Sequence, residues 1–170
     1  MMIEGSRRPQ VVFIVISIAV LLGAAASIGL LRRSKPRAVV LPDGTTAIVN
    51  PGSKLEPASG FPHPRIIDVD GEFWIRAPQR SDPLMIRSRL LRLTVAGATQ
   101  FHVVARSRES GEQVEVFSGN VTAYKNYPSP YADPDRLGAG DVSMVNRSID
   151  LMEKEHLSSA ERHALSDAFR

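Results

Sequence analysis

Leu91-Arg92-Leu93-Thr94-Val95 alternates apolar and polar side chains with a period of two. In an extended chain successive side chains point to opposite faces, so Leu91, Leu93 and Val95 share one face while Arg92 and Thr94 share the other. Gln113-Val114-Glu115-Val116 repeats the pattern, with Val114 and Val116 opposing Gln113 and Glu115. Both stretches read as strands with one wet face.

Working outward, more β-rich runs appear, cut by turn chemistry. Ala38–Leu41 and Thr45–Val49 flank Pro42-Asp43-Gly44, and Ile66–Val69 and Phe73–Arg76 flank Asp70-Gly71, the strongest hairpin signal in the chain. Leu84–Arg87, Leu90–Val95 and Phe101–Ala105 follow, and Glu109-Ser110-Gly111 closes the pair with Gln113–Phe117. Ser118-Gly119-Asn120 then separates Gln113–Phe117 from Val121–Lys125, and a last strand is expected around Asp141–Val145. Gly60–Pro64 and the proline-bearing Asn126–Asp135 read as loops. Turn signals at roughly 8–12-residue spacing favour an all-β sandwich or solenoid-like roll of about nine to ten short strands over any fold with crossover helices. Near the end of the chain Ser158 and Glu161 form a capping box, which predicts a short helix from about Ser159 to Phe169.

The chain has 170 residues, enough for one domain with an appendage, and 43% of them are hydrophobic, which excludes a disordered chain. It has no cysteine, so disulfides, thiolate zinc sites, iron–sulfur clusters and a cysteine nucleophile are excluded. The net charge of +3 is unevenly spread: residues 1–37 carry +5 and the remainder −2. A net-acidic body is a poor electrostatic footprint for DNA or RNA.

The basic excess surrounds Val11–Leu31, 21 residues without a formal charge. A helix needs about 20 apolar residues to cross a bilayer core of ~30 Å, so this segment reads as a single-pass transmembrane helix. The alternative is a cleaved signal peptide, with Arg7-Arg8 as its basic start, Val11–Leu22 as its apolar stretch and Ala24-Ala25-Ala26 as the cleavage site. The expected organisation is a short tail at 1–10, the membrane helix at 11–31, a basic linker at 32–37, a β domain at 38–145 and a helical tail at 146–170. Arg32, Arg33, Lys35 and Arg37 follow the segment while only Arg7 and Arg8 precede it, so the charge count alone favours a cytoplasmic body.

The search for chemistry yields no catalytic, cofactor-binding or metal residues. His156 and His163 are seven apart, about two turns along one helical face and too far to share an ion; His63 falls in the proline loop and His102 in a strand. Asp68-Val69-Asp70-Gly71-Glu72 lacks the third acidic ligand and distal glutamate of a calcium loop, and a hairpin explains it better. No Gly-x-Ser-x-Gly elbow, phosphate-cradling loop or dinucleotide fingerprint is present. Asn120-Val121-Thr122 and Asn146-Arg147-Ser148 match the glycosylation pattern, which recurs by chance. Phe73 and Trp74 face opposite sides of a strand, so one belongs to the core and the other to an interface. These residues support no enzyme, no cofactor and no small-molecule substrate.

The order of the runs resembles the periplasmic domain of the FecR family, single-pass regulators that relay siderophore signals from TonB-dependent receptors to a sigma factor. Asp43-Gly44-Thr45 leading to Asn50-Pro51-Gly52-Ser53-Lys54-Leu55 matches the family's opening. Arg65, Gly71-Glu72-Phe73-Trp74-Ile75, Pro83, and Val95 through Thr99-Gln100-Phe101-His102-Val103 match its middle. Val114-Glu115-Val116, Ser118-Gly119-Asn120-Val121 and Leu137-Gly138-Ala139-Gly140-Asp141 match its close. Ala98 splits the family's adjacent Gly-Thr pair, between Gly97 and Thr99, which predicts a local bulge. The resemblance, spanning about Val40 to Met144, implies an inner-membrane protein with a cytoplasmic N-terminus and a periplasmic body. It would act by protein–protein contact in envelope signalling related to iron or siderophores. Its partners would be a TonB-dependent receptor's signalling domain, or a full-length FecR-type regulator and its sigma factor. The expectation is a truncated member, since family members carry a cytoplasmic anti-sigma region where this chain has ten residues, and many continue into a further receptor-facing domain. A cleaved, soluble periplasmic module binding a cell-envelope ligand such as glycan is the alternative.

Overall fold

The computed structural model describes residues 35–131 and 133–158. The transmembrane helix read at 11–31, the tail before it and the helix read at Ser159–Phe169 lie outside the described residues. Among the described residues no helix is long and apolar enough to cross a membrane.

Among the described residues ten strands form one hydrogen-bonded network: β1 (Arg37–Val40), β2 (Thr46–Val49), β3 (Lys54–Pro57), β4 (Ile66–Ala77), β5 (Leu84–Arg87), β6 (Leu91–Ala105), β7 (Gly111–Lys125), β8 (Asp135–Leu137), β9 (Asp141–Asn146) and β10 (Leu151–His156). A single 3₁₀ turn, Arg147–Ile149, joins β9 to β10. The all-β reading holds.

Three long strands organise the network, because each pairs with different neighbours along its two halves. The first half of β4 lies between β3 and β5, its second half between β2 and β6. The first half of β6 pairs β5 and the last part of β7, while its second half pairs β4 and the start of β7. β7 likewise pairs β9 early and β8 late. One half of the network therefore runs β1-β2-β4-β6-β7-β9-β10 and the other β3-β4-β5-β6-β7-β8. Apolar side chains from both halves join one core cluster, in which Phe73, Leu84, Leu90 and Val114 have no accessible surface. Burying a side chain of this size stabilises the fold by about 1.5–3 kcal/mol.

This arrangement corrects the turns expected at Asp70-Gly71 and Ser118-Gly119-Asn120. The alternation does not stop at Gly71: Ile67, Val69, Gly71, Phe73, Ile75 and Ala77 are all buried along one unbroken strand. Gly71 has φ of 130°, and a Cβ there would lie 2.2 Å from Ser53 Oγ, whose hydroxyl accepts from the Glu72 amide. Glycine marks a close approach here, not a reversal. Gly119, with φ of 82°, sits where three residues of β6, Gly97-Ala98-Thr99, oppose it alone. The bulge expected at Ala98 is present. Beyond it the inward set of β7 switches from Val114 and Val116 to Val121 and Ala123.

The strand count agrees with the expectation only in total. Three pairs of expected short strands are the single strands β4, β6 and β7, and β3, β8 and β10 are additional. The helical reading of 146–170 is corrected at Leu151–His156, which forms the edge strand β10 against β9. Pro42-Asp43-Gly44 does turn β1 into β2. Gly60–Pro64 is a loop, with cis bonds at Phe61-Pro62 and His63-Pro64.

Candidate interaction face

The outer face of the β1-to-β10 half carries the unusual side chains. Strand register lines up Ile48, Trp74, His102, Glu115, Val142 and Glu155 as one row across six strands. Phe73 points into the core with no accessible surface, so Trp74 points out, as their adjacency requires. Trp74 stacks on His102 with centroids 4.3 Å apart and on Phe117 at 4.8 Å. His102 Nε2 lies 3.2 Å from Glu72 Oε1 and its Nδ1 lies 3.9 Å from Glu115 Oε2. Arg106 donates to the other Glu72 oxygen at 2.6 Å.

Two grooves border this row. One, about 640 Å³, is lined by Val104, Gln113, Met144, Ile149 and Leu151; the other, about 690 Å³, by Val40, Ile48, Gln100 and Phe117. Val40 and Ile149 are exposed at 73% and 68%, far more than a strand or turn in a core would show. Apolar surface of this kind rimmed by charge suits a macromolecular contact.

A structural ion pair bridges the two halves. Asp43 Oδ2 accepts from Arg65 Nε at 3.0 Å and Nη2 at 2.8 Å, and Asp43 also accepts from the Thr45 amide and hydroxyl. Burial alone would raise the Asp43 carboxyl. The Thr45 and Arg65 contacts outweigh it and hold the group below the usual carboxylate range. The motif residues Asp43, Thr45 and Arg65 are thus one buried network that fastens the β1–β2 turn to the start of β4. At the other end, Leu137-Gly138-Ala139-Gly140-Asp141 is a turn closed by the Gly138 amide on Asp141 Oδ2. Lys154 and His156 of β10 each reach Asp141 at 2.8 Å.

The histidines do not converge. His63 stays in the cis-proline loop, His102 lies on the outer face, His156 binds Asp141, and His163 lies outside the described residues. Asp68 pairs with Arg87 and Asp70 accepts from the Ser107 amide, so neither forms part of a calcium loop. Among the described residues no group of three His, Asp or Glu could hold a metal ion. The Trp74–His102–Phe117 cluster escaped the sequence reading because its members come from three strands. Their shared outward parity was the available signal.

The sequence profile of the family described as FecR protein matches residues 32–122, just over half the chain. Two crystal structures of a candidate anti-sigma factor from Parabacteroides distasonis ATCC 8503 share the fold, with TM-scores of 0.65 and 0.64 and 23% identity. The alignments cover 77% and 76% of this chain, and 60% and 59% of theirs, so the chain spans about three fifths of those relatives. None of the curated proteins matches the chain.

Proposed function

The chain belongs to the FecR family, and from that premise we propose that it is a membrane-anchored, periplasmic signalling protein working through protein–protein contact. Its pathway is envelope signalling to a sigma factor, with iron or siderophore as the inducing class. The observation that carries this reading is the outer face, where two apolar grooves flank a packed aromatic row. Support for anchoring comes from the 21 uncharged residues of Val11–Leu31. The partner is a TonB-dependent receptor's signalling domain or a full-length FecR-type regulator. Ile48 at the β2 end of the row and Met144 beside the row on β9, 40% and 39% exposed, are the positions to probe.

Two measurements test the reading. Protease added to spheroplasts should degrade the β domain, and full protection would place it in the cytoplasm and defeat the proposal. In a sigma-factor reporter strain, Ile48→Asp or Met144→Asp should lower the signal while leaving the folded content of the domain unchanged. An unaltered reporter with both substitutions combined would remove the outer face from the signalling contact.

A further inference from the structure

One end of the β domain gathers exposed basic side chains. Strand register sets Arg37, where the chain enters β1, in line with Val49, Phe73 and Val103, so this end also holds the β2–β3, β6–β7 and β9–β10 connections. Contacts between the connections join them into one surface. The Ser107 amide donates to Asp70, which lies opposite Lys54; Arg89 donates to Glu109 O; the Arg147 amide donates to Ser110 O at 3.1 Å. Lys54, Arg89, Arg108 and Arg147 are exposed and belong to none of the ion pairs of the described residues. Most acids beside them are already used, Glu72 and Glu109 by Arg106 and Asp150 by Lys125. Against the four bases stand Asp70, held by the Ser107 amide, and Asp133 on the proline-bearing loop. The opposite end mixes both signs, with Arg80 and Asp82 in one loop and Glu155 near Asp141.

Resting on the anchor read from Val11–Leu31, we infer that this end of the domain docks on anionic lipid headgroups through Lys54, Arg89, Arg108 and Arg147. The chain itself brings the end to the lipid. The six residue steps from Leu31 to Arg37 span at most about 21 Å even when fully extended. Arg32, Arg33 and Lys35 within that stretch carry the same sign. Basic side chains at a membrane surface are attracted to anionic headgroups, and the attraction fades over a screening length of ~8 Å. Charge also sets the orientation, because residues 38–170 sum to −2 and the basic end alone is drawn toward the lipid. Tyr131, 74% exposed with its ring 6.0 Å from Lys125 Nζ, adds an aromatic side chain of the kind enriched at the headgroup level. With this end on the bilayer, the strands of the β1-to-β10 half stand off the membrane. Their outer face then looks sideways, toward a neighbouring membrane protein.

The chain has no cysteine, so Ser110→Cys at this end or Ala139→Cys at the opposite end accepts one fluorophore. The full chain is placed in phosphatidylcholine nanodiscs that carry a headgroup spin label as quencher. Replacing about one third of the lipid with phosphatidylglycerol should at least double the quenching at position 110 and leave position 139 unchanged, and high salt should cancel the gain. Arg108→Glu with Arg147→Glu should cancel it as well, with the far-ultraviolet circular dichroism unchanged. The lipid and salt comparisons on the unsubstituted charges stand whether or not that double variant folds. Equal quenching at position 110 in neutral and anionic discs, from a chain that alkaline carbonate does not extract, overturns the docking and leaves the anchor in place. Extraction by carbonate defeats the anchor and the docking together. Stronger quenching at position 139 than at position 110 overturns the orientation and with it the docking surface.

Discussion

Arg65 and Asp43 show how much one residue can carry in this fold. Their side chains are 4% and 3% exposed, and both Arg65 contacts fall on a single Asp43 oxygen. Removing one partner leaves an uncompensated buried charge, a loss of about 3–5 kcal/mol, whereas replacing both with apolar groups of similar size is often nearly neutral. Arg65→Met should therefore lower the urea midpoint sharply, and Asp43→Asn with Arg65→Met should recover part of the loss. Since the Asp43 carboxyl is depressed on folding, its contribution is complete above its unfolded value of ~3.9 and disappears as the pH falls through the folded value. Glu112 has the opposite sign. It is 3% exposed, and burial pushes its carboxyl up against hydrogen bonds from the Ser88 hydroxyl and the Leu90 and Leu91 amides. Its folded form holds the proton to higher pH than the unfolded form, so stability from this group is present at low pH and is lost as the pH rises through the folded value. Glu112→Gln keeps an acceptor without the charge and should leave stability at neutral pH intact, while Glu112→Ala orphans the Leu90 amide, the Leu91 amide keeping its bond to Ser88 Oγ, and should cost about 1–3 kcal/mol. Equal losses in the two variants, read from urea curves, would contradict this account.

At the scale of elements, glycine decides how the long strands run. A Cβ on Gly119 would sit 2.4 Å from Thr99 Oγ1 and 2.5 Å from Ala98 O, in addition to the strain of φ at 82°. Gly119→Ala should therefore destabilise by about 2–4 kcal/mol, combining backbone strain with overpacking at the bulge. The edge strand β10 depends on Asp141, whose carboxyl is depressed to about 2: burial acts to raise it, and Lys154, the Gly138 amide and His156 outweigh that. The stabilisation, about 2 kcal/mol, is present above the ordinary carboxylate range and is lost as the pH falls from ~4 toward 2. Amide exchange in β10 should accelerate over that window, and Asp141→Asn should exchange fast already at neutral pH. These elements were unequally legible. Alternation revealed the first halves of β6 and β7, because one face of each meets the core, and β-rich composition between turn residues revealed β2, β5 and the halves of β4. Asp70-Gly71 and Ser118-Gly119-Asn120 carry turn residues for close approach and bulging, so composition misled where parity did not: Val69 and Phe73 stay in phase across Gly71. β3, β8 and β10 are short or charged edge strands with little apolar periodicity, as edges guarding against pairing tend to be. The Asp43–Arg65 pair spans 22 residues of sequence and no local pattern signals it.

For the whole molecule, the sharing of strands sets the cooperativity. A sandwich of two separately hydrogen-bonded sheets can in principle lose one sheet before the other. Here β4, β6 and β7 run through both halves, and the buried side chains of the halves form one cluster that includes Val69 and Phe73 of the same strand. Opening the β3–β8 half would strip Leu84, Ile86 and Leu91 from the core and release the ladder partners of strands on which the other half depends. Single domains of this size usually unfold without populated intermediates, and this topology gives a specific reason for it. Unfolding of a chain beginning at Lys35 in urea should show one transition, coincident by far-ultraviolet circular dichroism and by Trp74 fluorescence. Trp74 reports the outer face of one half, whereas circular dichroism averages over all strands, so a tryptophan midpoint clearly below the dichroism midpoint would mean that the halves part. Ile86→Ala, placed on β5 in the half that lacks Trp74, sharpens the comparison. If the molecule is one cooperative unit, the substitution must lower both midpoints equally, although Ile86 lies on β5, which belongs only to the half without the ring stack.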